Sequence, residues 1–254
     1  MRVRMDDYDL ARSSGRTRLF IARPEEEGRW PGLAFYSDIF QLGESTRRMA
    51  IRFASYGFVV AASELYWRLE PPGTVFAFDD AGRERGMECA RATTLADFDD
   101  DIAAVRQHLL ARTDVEPNAL GAVGFCLGGH LAFRAAFAPE VGATACFYPT
   151  GLHDGALGAG VADSLARARE IRGALSLVFG DRDPHTTAAE RDRIVADVAA
   201  AGVDVRVASF DAEHAFMRDV GPRYDAQASD AAFASAIALF RATLAPEQHR
   251  AFAP

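Results

Sequence analysis

Residues 120–129 read LGAVGFCLGG, and this stretch decides the fold. It begins as a short apolar run typical of a buried strand and ends in glycines placed around Cys126. A glycine-flanked nucleophile between a strand and a helix indicates a sharp turn that lifts the central side chain above the end of a sheet. We therefore expect a strand, a turn at Cys126 and a helix over residues 129–137.

Other short apolar runs predict further strands, at residues 33–36, 58–62, 145–148, 175–179 and 205–210. Near-continuous apolar strands are typical of parallel sheets that are covered on both faces. Helical patterns lie between them, at residues 188–201 and in the apolar stripe Phe98, Ile102, Val105 and Leu109. This alternation predicts a mostly parallel, doubly wound sheet flanked by helices, with an extra antiparallel strand at residues 18–22.

The bulk composition fits one globular domain over residues 1–254. Hydrophobic residues make up 49% of the chain and charged residues 25%, ordinary values for a protein with a sizeable core. Residues 71–94 have weak periodicity and begin with two prolines. We expect this segment either to cover the ligand site as a lid or to contain a short helix, because long irregular segments in compact domains are usually functional.

The net charge and the cysteine content limit the binding partners and the cellular compartment that fit this chain. The formal net charge of −8 favours neither nucleic acid nor an anionic membrane surface, and no stretch is apolar enough to span a membrane. Three cysteines without regular spacing indicate a reducing compartment, so a cytoplasmic location is expected. The sequence predicts a small-molecule substrate and leaves the oligomeric state open.

An elbow nucleophile requires an acid and then a histidine downstream, each after a strand. The loop after the strand at 175–179 holds two candidate acids, Asp181 and Asp183, and the spacing alone does not choose between them. His214 follows the strand at 205–210 and is the candidate base. Asp181, Asp183 and His185 are a candidate metal site, but three adjacent loop residues match no usual ligand pattern, so no metal is expected. Strand order and elbow together predict an α/β-hydrolase fold.

From residue 32 to residue 244 the chain resembles the dienelactone hydrolase family (carboxymethylenebutenolidase-like proteins). The cysteine in Gly-Phe-Cys-Leu-Gly-Gly carries the resemblance, together with Gly180-x-x-Asp183 and the segment that begins Glu213-His214. The resemblance implies a Cys126–His214–Asp183 triad, and it favours Asp183 over Asp181. It also implies hydrolysis of a lactone or carboxylic ester through a thioester acyl-enzyme, with no cofactor.

The resemblance extends to the residues that would surround the thiol. It implies that the backbone amides of Ile39 and Leu127 form the oxyanion hole. The family normally has glutamate before the position of Ile39, where it holds the resting thiol. This chain has Asp38, whose side chain is one methylene shorter, so thiol positioning is expected to be altered.

Two arginines match family positions that bind a substrate carboxylate, Arg68 in the segment 61–68 and Arg218 after the histidine. A guanidinium suits this role because it donates two parallel hydrogen bonds. Either arginine is also interpretable as an ordinary surface cation. Trp67 and Tyr148 are further candidates for the pocket wall, and a carboxylated substrate is expected if the arginines bind it.

Two alternatives to ester hydrolysis stay open at this stage. The same thiol site is compatible with another electrophile, such as a phosphotriester or a thioester. A protein of low activity that binds ligands or senses oxidants through Cys126 is also compatible with the sequence, because a partly exposed, activated thiol oxidises readily.

Overall fold

The computed structural model describes residues 1–245, so residues 246–254 of the expected domain lie outside it. Within the described residues the strands, in chain order, are β1 (Val3–Arg12), β2 (Gly15–Pro24), β3 (Trp30–Tyr36), β4 (Val59–Ser63), β5 (Val115–Phe125), β6 (Val141–Phe147), β7 (Ala156–Leu157), β8 (Gly160–Val161), β9 (Ala174–Gly180) and β10 (Val205–Phe210). The helices are α1 (Glu44–Ser55), α2 (Asp80–Ala92), α3 (Leu95–Leu110), α4 (Leu127–Ala135), α5 (Ala188–Ala200) and α6 (Ala226–Leu244), with a single 3-10 turn at Ala168–Glu170.

Eight of these strands form one sheet in the order β1-β2-β4-β3-β5-β6-β9-β10. The pairs from β4 to β10 are parallel, whereas β2 is antiparallel to both β1 and β4. Strands β7 and β8 form a separate antiparallel pair. The prediction of a mostly parallel α/β-hydrolase sheet with an antiparallel N-terminal strand is confirmed.

Helices cover both faces of this sheet and divide the core in two. One core contains Val105 of α3 and Ile194 of α5, and it also receives α4. The other contains Phe53 of α1 and Phe240 of α6. Burial on both faces explains why the central strands are nearly all apolar, since neither face contacts water. The predicted stripe on α3 is confirmed as buried.

The structure differs from the sequence prediction mainly at the N-terminus. Strand β1 pairs with all of β2 and was not predicted, because its residues are mostly exposed and charged and its pattern has no buried face. Helix α4 begins at Leu127, two positions earlier than the predicted start at 129. In the segment 71–94, for which a lid or a short helix is expected, the structure has α2, which is capped at Asp79 through the amide of Gly82.

No helix among residues 1–245 is both long enough and apolar enough to cross a membrane.

The turn between β5 and α4 is packed so closely that it leaves no room for side chains at two of its glycines. A Cβ atom at Gly124 would lie 1.8 Å from the carbonyl oxygen of Gly128. A Cβ atom at Gly128 would lie 2.2 Å from the carbonyl oxygen of Tyr36 at the end of β3. Helix α4 therefore starts in direct contact with the ends of two neighbouring strands.

We expect Gly128→Ala to lower the free energy of unfolding by about 3 kcal/mol, the upper end for an overpacked core site, because its methyl group meets backbone that cannot move aside. Gly160→Ala is the matched control, since a Cβ atom there meets nothing within 4 Å. Urea unfolding followed by circular dichroism measures both variants. Equal stability of the two variants would contradict the packing described for the turn.

Candidate active site

Cys126 occupies the turn between β5 and α4 with a left-handed backbone, at φ 58° and ψ −121°. This conformation is unfavourable for a residue with a Cβ atom and persists only when the surroundings enforce it. The Cys126 amide donates to the carbonyl of Phe147 (3.0 Å), and its own carbonyl accepts from Gly129 (2.9 Å) and Thr150 (3.3 Å). The side chain is partly exposed and lines a cavity at the carboxyl edge of the sheet.

The predicted acid and base meet beside this thiol. Asp183 follows β9 and His214 follows β10, and because these strands are parallel neighbours their following loops lie at the same edge. His214 Nδ1 and Asp183 Oδ2 are 2.7 Å apart, and both side chains are buried. Burial alone would raise the pKa of Asp183, but its bond to His214 and the amide of His185 lower it. Asp183 is therefore a carboxylate at neutral pH.

The pKa of His214 is raised to about 10. Burial opposes the charged ring and is the largest single effect, but the charge and hydrogen bond of Cys126 and those of Asp183 together outweigh it. The structure thus places the His214 ring in direct contact with Asp183 and close enough to Cys126 for the thiol to affect its pKa.

Asp181, the alternative acid, is turned away from His214. Its carboxylate accepts from the Arg191 guanidinium (3.2 Å) and from the Ser209 hydroxyl. Of the two acids that the spacing left open, Asp183 is the one in contact with the histidine.

Asp38 lies at the site but does not contact the thiol through a hydrogen bond. Its Oδ1 accepts from the amide of Phe40 (2.9 Å), and its Oδ2 accepts from Arg218 Nη1 (3.1 Å). Burial raises the pKa of Asp38, although Arg218 and the Phe40 amide act in the opposite direction. Both oxygens of Asp38 are thus engaged by other groups, and its side chain fixes Arg218; a part in positioning the thiol stays a prediction.

Arg218 is held in place from three sides. Besides its ion pair with Asp38, its guanidinium lies 5.1 Å from the ring centre of Phe40 and 4.6 Å from that of Phe78. Cation–π contacts of this kind favour a fixed guanidinium over a freely rotating one. Arg218 lines the cavity next to Cys126, and its binding of the substrate stays a prediction.

Ile39 and Leu127 are the residues whose backbone amides are predicted to form the oxyanion hole. Both residues line the cavity together with Cys126. In the part of the chain that the structure describes, neither N–H group donates to another group of the protein. Leu127 is the first residue of α4, whose positive end also favours a negative charge at this point. The two amides stay a prediction that the geometry supports.

The cavity has a volume of about 460 Å³. Its wall combines apolar residues with four arginines and one carboxylate, that of Asp38; the arginines are Arg83, Arg91, Arg218 and Arg223. Sequence reasoning missed three of these arginines. Arg83, Met87 and Ala90 recur at spacings of four and three on α2, which is the available signal that one face of the expected lid points at the site.

The prediction that Arg68 and Trp67 bind substrate is corrected by their contacts. Arg68 Nη1 is 2.7 Å from Asp101 Oδ2, and Trp67 Nε1 donates to the same carboxylate (3.1 Å). Asp101 also binds Arg12 (2.8 Å), and the Trp67 ring packs against Gly15 in the turn between β1 and β2. Neither Arg68 nor Trp67 lines the cavity. Both side chains fasten the N-terminal hairpin to α3 instead.

Tyr148 packs behind the histidine rather than on the cavity wall. Its ring meets that of His214 edge to face at 5.1 Å, and its backbone has a positive φ of 38°. It lines only a small neighbouring void of about 20 Å³, which it shares with Asp38 and Arg218. Burial raises the pKa of Tyr148 well above its usual value, so its hydroxyl stays protonated. The expected contact with substrate is replaced by support of the His214 ring.

Among the described residues, the set that could hold a metal ion is Asp183, His185 and His214.

Comparison with known proteins identifies one family. Residues 17–244 match the sequence profile of the dienelactone hydrolase family. A Saccharomyces cerevisiae protein provisionally named carboxymethylenebutenolidase is 33% identical over 222 residues, which cover 84% of this chain and 81% of the relative. The carboxymethylenebutenolidase of Pseudomonas sp. (strain P51) is 26% identical over 231 residues, 91% of this chain and 92% of that protein.

Solved structures agree in fold. A Klebsiella pneumoniae protein provisionally described as a dienelactone hydrolase superposes with a TM-score of 0.79, covering 94% of this chain and 99% of the other. At 20% identity this similarity concerns the fold alone.

We expect iodoacetamide to alkylate Cys126 at neutral pH about tenfold faster in the unchanged protein than in His214→Gln, because the imidazolium stabilises the reactive thiolate. His153→Gln is the matched control outside the site. Peptide mass spectrometry over time gives the rate for each cysteine. Cys146 and Cys89 serve as internal references, since burial raises the pKa of both thiols, that of Cys89 to about 11. Equal Cys126 rates with and without His214 would contradict the pairing.

Proposed function

This chain belongs to the dienelactone hydrolase family and is a hydrolase of lactone or ester bonds, and we propose that Cys126 is its nucleophile. The observation that carries the proposal is the 2.7 Å contact of His214 with Asp183 at the cavity that Cys126 and His214 line together, beside the elbow after β5. A nucleophile, a base in contact with it and a third group that orients the base make up the arrangement that covalent acyl transfer needs.

In the first half of the reaction the Cys126 thiolate attacks the carbonyl carbon of the substrate. The carbonyl oxygen becomes an oxyanion, to which the amides of Ile39 and Leu127 donate; each such donor is worth about 3 kcal/mol of the barrier. When the tetrahedral intermediate collapses, the His214 imidazolium gives its proton to the departing alkoxide. A thioester to Cys126 remains, and in a lactone the alcohol stays attached to the acyl group.

In the second half a water molecule attacks the thioester. Neutral His214 accepts the proton of this water, and the collapse of the second intermediate expels the Cys126 thiolate and releases the carboxylic acid. Asp183 stays ionised throughout, holds the ring through Nδ1 and stabilises each imidazolium that forms. Tyr148 packs edge to face against the same ring and limits its rotation.

We propose further that the substrate carries a carboxylate. Arg218 and Arg83 line the cavity that Cys126 opens into, and the acid on its wall, Asp38, is already paired with Arg218. The excess of cations beside the thiol attracts an anionic substrate although the protein as a whole is acidic. The names of the relatives fit, since a carboxymethylene butenolide combines a carboxyl group with a lactone.

The proposed function also determines which partners and which cellular location we propose. A small ester or lactone is the partner, and no nucleic acid or membrane surface is required. Three free cysteines are compatible with the cytoplasmic location expected from the sequence.

We expect Cys126→Ala to reduce kcat/KM for p-nitrophenyl acetate by about 10³-fold or more, because the chemical step loses its nucleophile. Cys89→Ala, a cysteine substitution in α2 outside the proposed machinery, is expected to stay within about threefold of the unchanged enzyme, as substitutions away from the reacting atoms usually do. Rapid acid quench and intact-mass measurement should show one acyl group on the unchanged protein. Full activity of a folded Cys126→Ala protein would disprove the assignment.

The anion preference is tested with two p-nitrophenyl esters of equal chain length, the hexanoate and the monoester of adipic acid. We expect Arg83→Met and Arg218→Met to raise KM for the adipate ester about tenfold, the worth of one charge-assisted hydrogen bond. KM for the hexanoate should change much less, at least in Arg83→Met. Arg68→Met is the control, because the guanidinium of Arg68 is paired with Asp101 outside the cavity. An unchanged ratio of the two KM values in Arg83→Met and Arg218→Met would refute a carboxylate site.

A further inference from the structure

The loop that carries the Ile39 amide is anchored by the side chain of Gln41, a residue that is only 2% exposed. Its Oε1 accepts from the backbone amides of Leu65 and Tyr66, both at 3.2 Å, and its Nε2 donates to the carbonyl of Thr74 (2.9 Å). One buried side chain thus makes three hydrogen bonds to the backbone of two other segments. The acyl-transfer chemistry described above gives Gln41 no role.

Gln41 also closes the turn in which Ile39 lies. Its backbone amide donates to the carbonyl of Asp38 (3.1 Å), so Ile39 and Phe40 are the two central residues of a four-residue turn. Within this turn the Phe40 amide donates to the Asp38 carboxylate (2.9 Å). The carbonyl of Gln41 accepts from the hydroxyl of Thr46 in the first turn of α1 (2.9 Å). The turn is thus fixed through its last residue, and the direction of the Ile39 amide depends on that residue.

The backbone of Gln41 indicates that these contacts are enforced. Its φ is 68°, in the left-handed region that residues with a Cβ atom rarely adopt. Such a conformation persists where the surrounding contacts over-determine it, and residues of this kind cluster at functional sites. A glycine would adopt this backbone without strain, but it would make none of the three side-chain bonds. These bonds therefore give a physical reason for a glutamine at a position whose backbone favours glycine.

The same turn is also held by the chain that leads into α2. The Phe76 amide donates to the carbonyl of Phe40 (3.4 Å), two residues after the point at which Gln41 bonds to Thr74. The turn is therefore held by the segment after β4 and by the approach to α2, besides the strand that it follows.

We propose that Gln41 is a positioning residue that holds the Ile39 amide in the direction required to stabilise the oxyanion. The inference rests on the proposed function, in which this amide and that of Leu127 donate to the substrate oxygen. Leu127 is fixed by α4, whereas Ile39 lies in a loop and needs a separate anchor. Preorganisation matters because a misplacement of about 1 Å can cost about 10²-fold in rate. Gln41 does not line the cavity, so it acts on the reaction through Ile39.

The kinetic test compares two reactions of Cys126 that differ in whether an oxyanion forms. Acylation by p-nitrophenyl acetate passes through an oxyanion, whereas alkylation by iodoacetamide displaces iodide from a saturated carbon and forms none. The variant is Gln41→Met, because methionine has a similar length but cannot replace these hydrogen bonds. Gln107→Met is the matched control, since the side chain of Gln107 is exposed on α3.

We expect Gln41→Met to slow the first turnover of p-nitrophenol release, measured by stopped flow, about tenfold, which is less than the roughly 10²- to 10³-fold loss that follows removal of an oxyanion donor. Alkylation of Cys126 should change by less than about twofold, because its rate depends on the thiolate and not on an oxyanion. Gln107→Met should leave both rates unchanged.

Gln41→Gly is a second variant, and it keeps the comparison available if Gln41→Met does not fold, because glycine adopts this backbone without strain. The proposal requires the same selective loss of acylation in each folded variant. Unchanged acylation in either variant would overturn the positioning role. Equal losses of acylation and alkylation would overturn it as well, since a general disturbance of the site affects both reactions.

A second measurement does not depend on activity. In the Cys126→Ser background, the amide proton resonances of Leu65 and Tyr66 should move upfield after Gln41→Met, because these amides lose their acceptor. Amides within α4 should keep their resonance positions. Unchanged resonances of Leu65 and Tyr66 would overturn the anchor. Absence of an acyl-enzyme in the unchanged protein would instead refute the proposed function, and the resonances would still decide whether Gln41 holds the turn.

Discussion

The site depends on how closely α4 approaches the ends of β3 and β5. Gly124 and Gly128 allow backbone atoms to pack where no side chain fits. The same approach forces Cys126 into a left-handed conformation and points its thiol away from the sheet. It also leaves the Leu127 amide at the positive end of a helix. A single packing constraint thus determines the position of the proposed nucleophile, its electrostatic surroundings and the position of one proposed oxyanion donor.

Sequence reasoning located the residues whose position the topology determines. Cys126, Asp183 and His214 each follow a strand of a parallel sheet, so the chain order of strands is enough to bring them to one edge. Arg68 was misjudged because the partners of a long charged side chain depend on which helix passes nearby, and here α3 supplies Asp101.

The sequence did not predict that Arg83 and Arg91 of α2 line the cavity, for a related reason. Their periodicity is visible in the sequence, but which way the helix faces is fixed by tertiary contacts, such as the one between Gly86 and the carbonyl of Ile39. A Cβ atom at Gly86 would lie 2.7 Å from that oxygen, so α2 rests on the loop that carries the proposed oxyanion amide. Two of the four arginines of the cavity wall, Arg83 and Arg91, and a contact that supports the Ile39 loop therefore come from one helix, whose orientation no pattern confined to a single segment reveals.

The ion pairs of Asp101 determine which parts of the molecule unfold together. This buried carboxylate holds Arg12 from the N-terminal hairpin and Arg68 from the segment after β4. If the hairpin detached, Asp101 would lose one of its two countercharges while still largely shielded from water, which is unfavourable. The outermost strands of a sheet usually open first, yet here they are fastened to a central helix. The hairpin and α3 are thus expected to exchange their amide hydrogens as one cooperative unit.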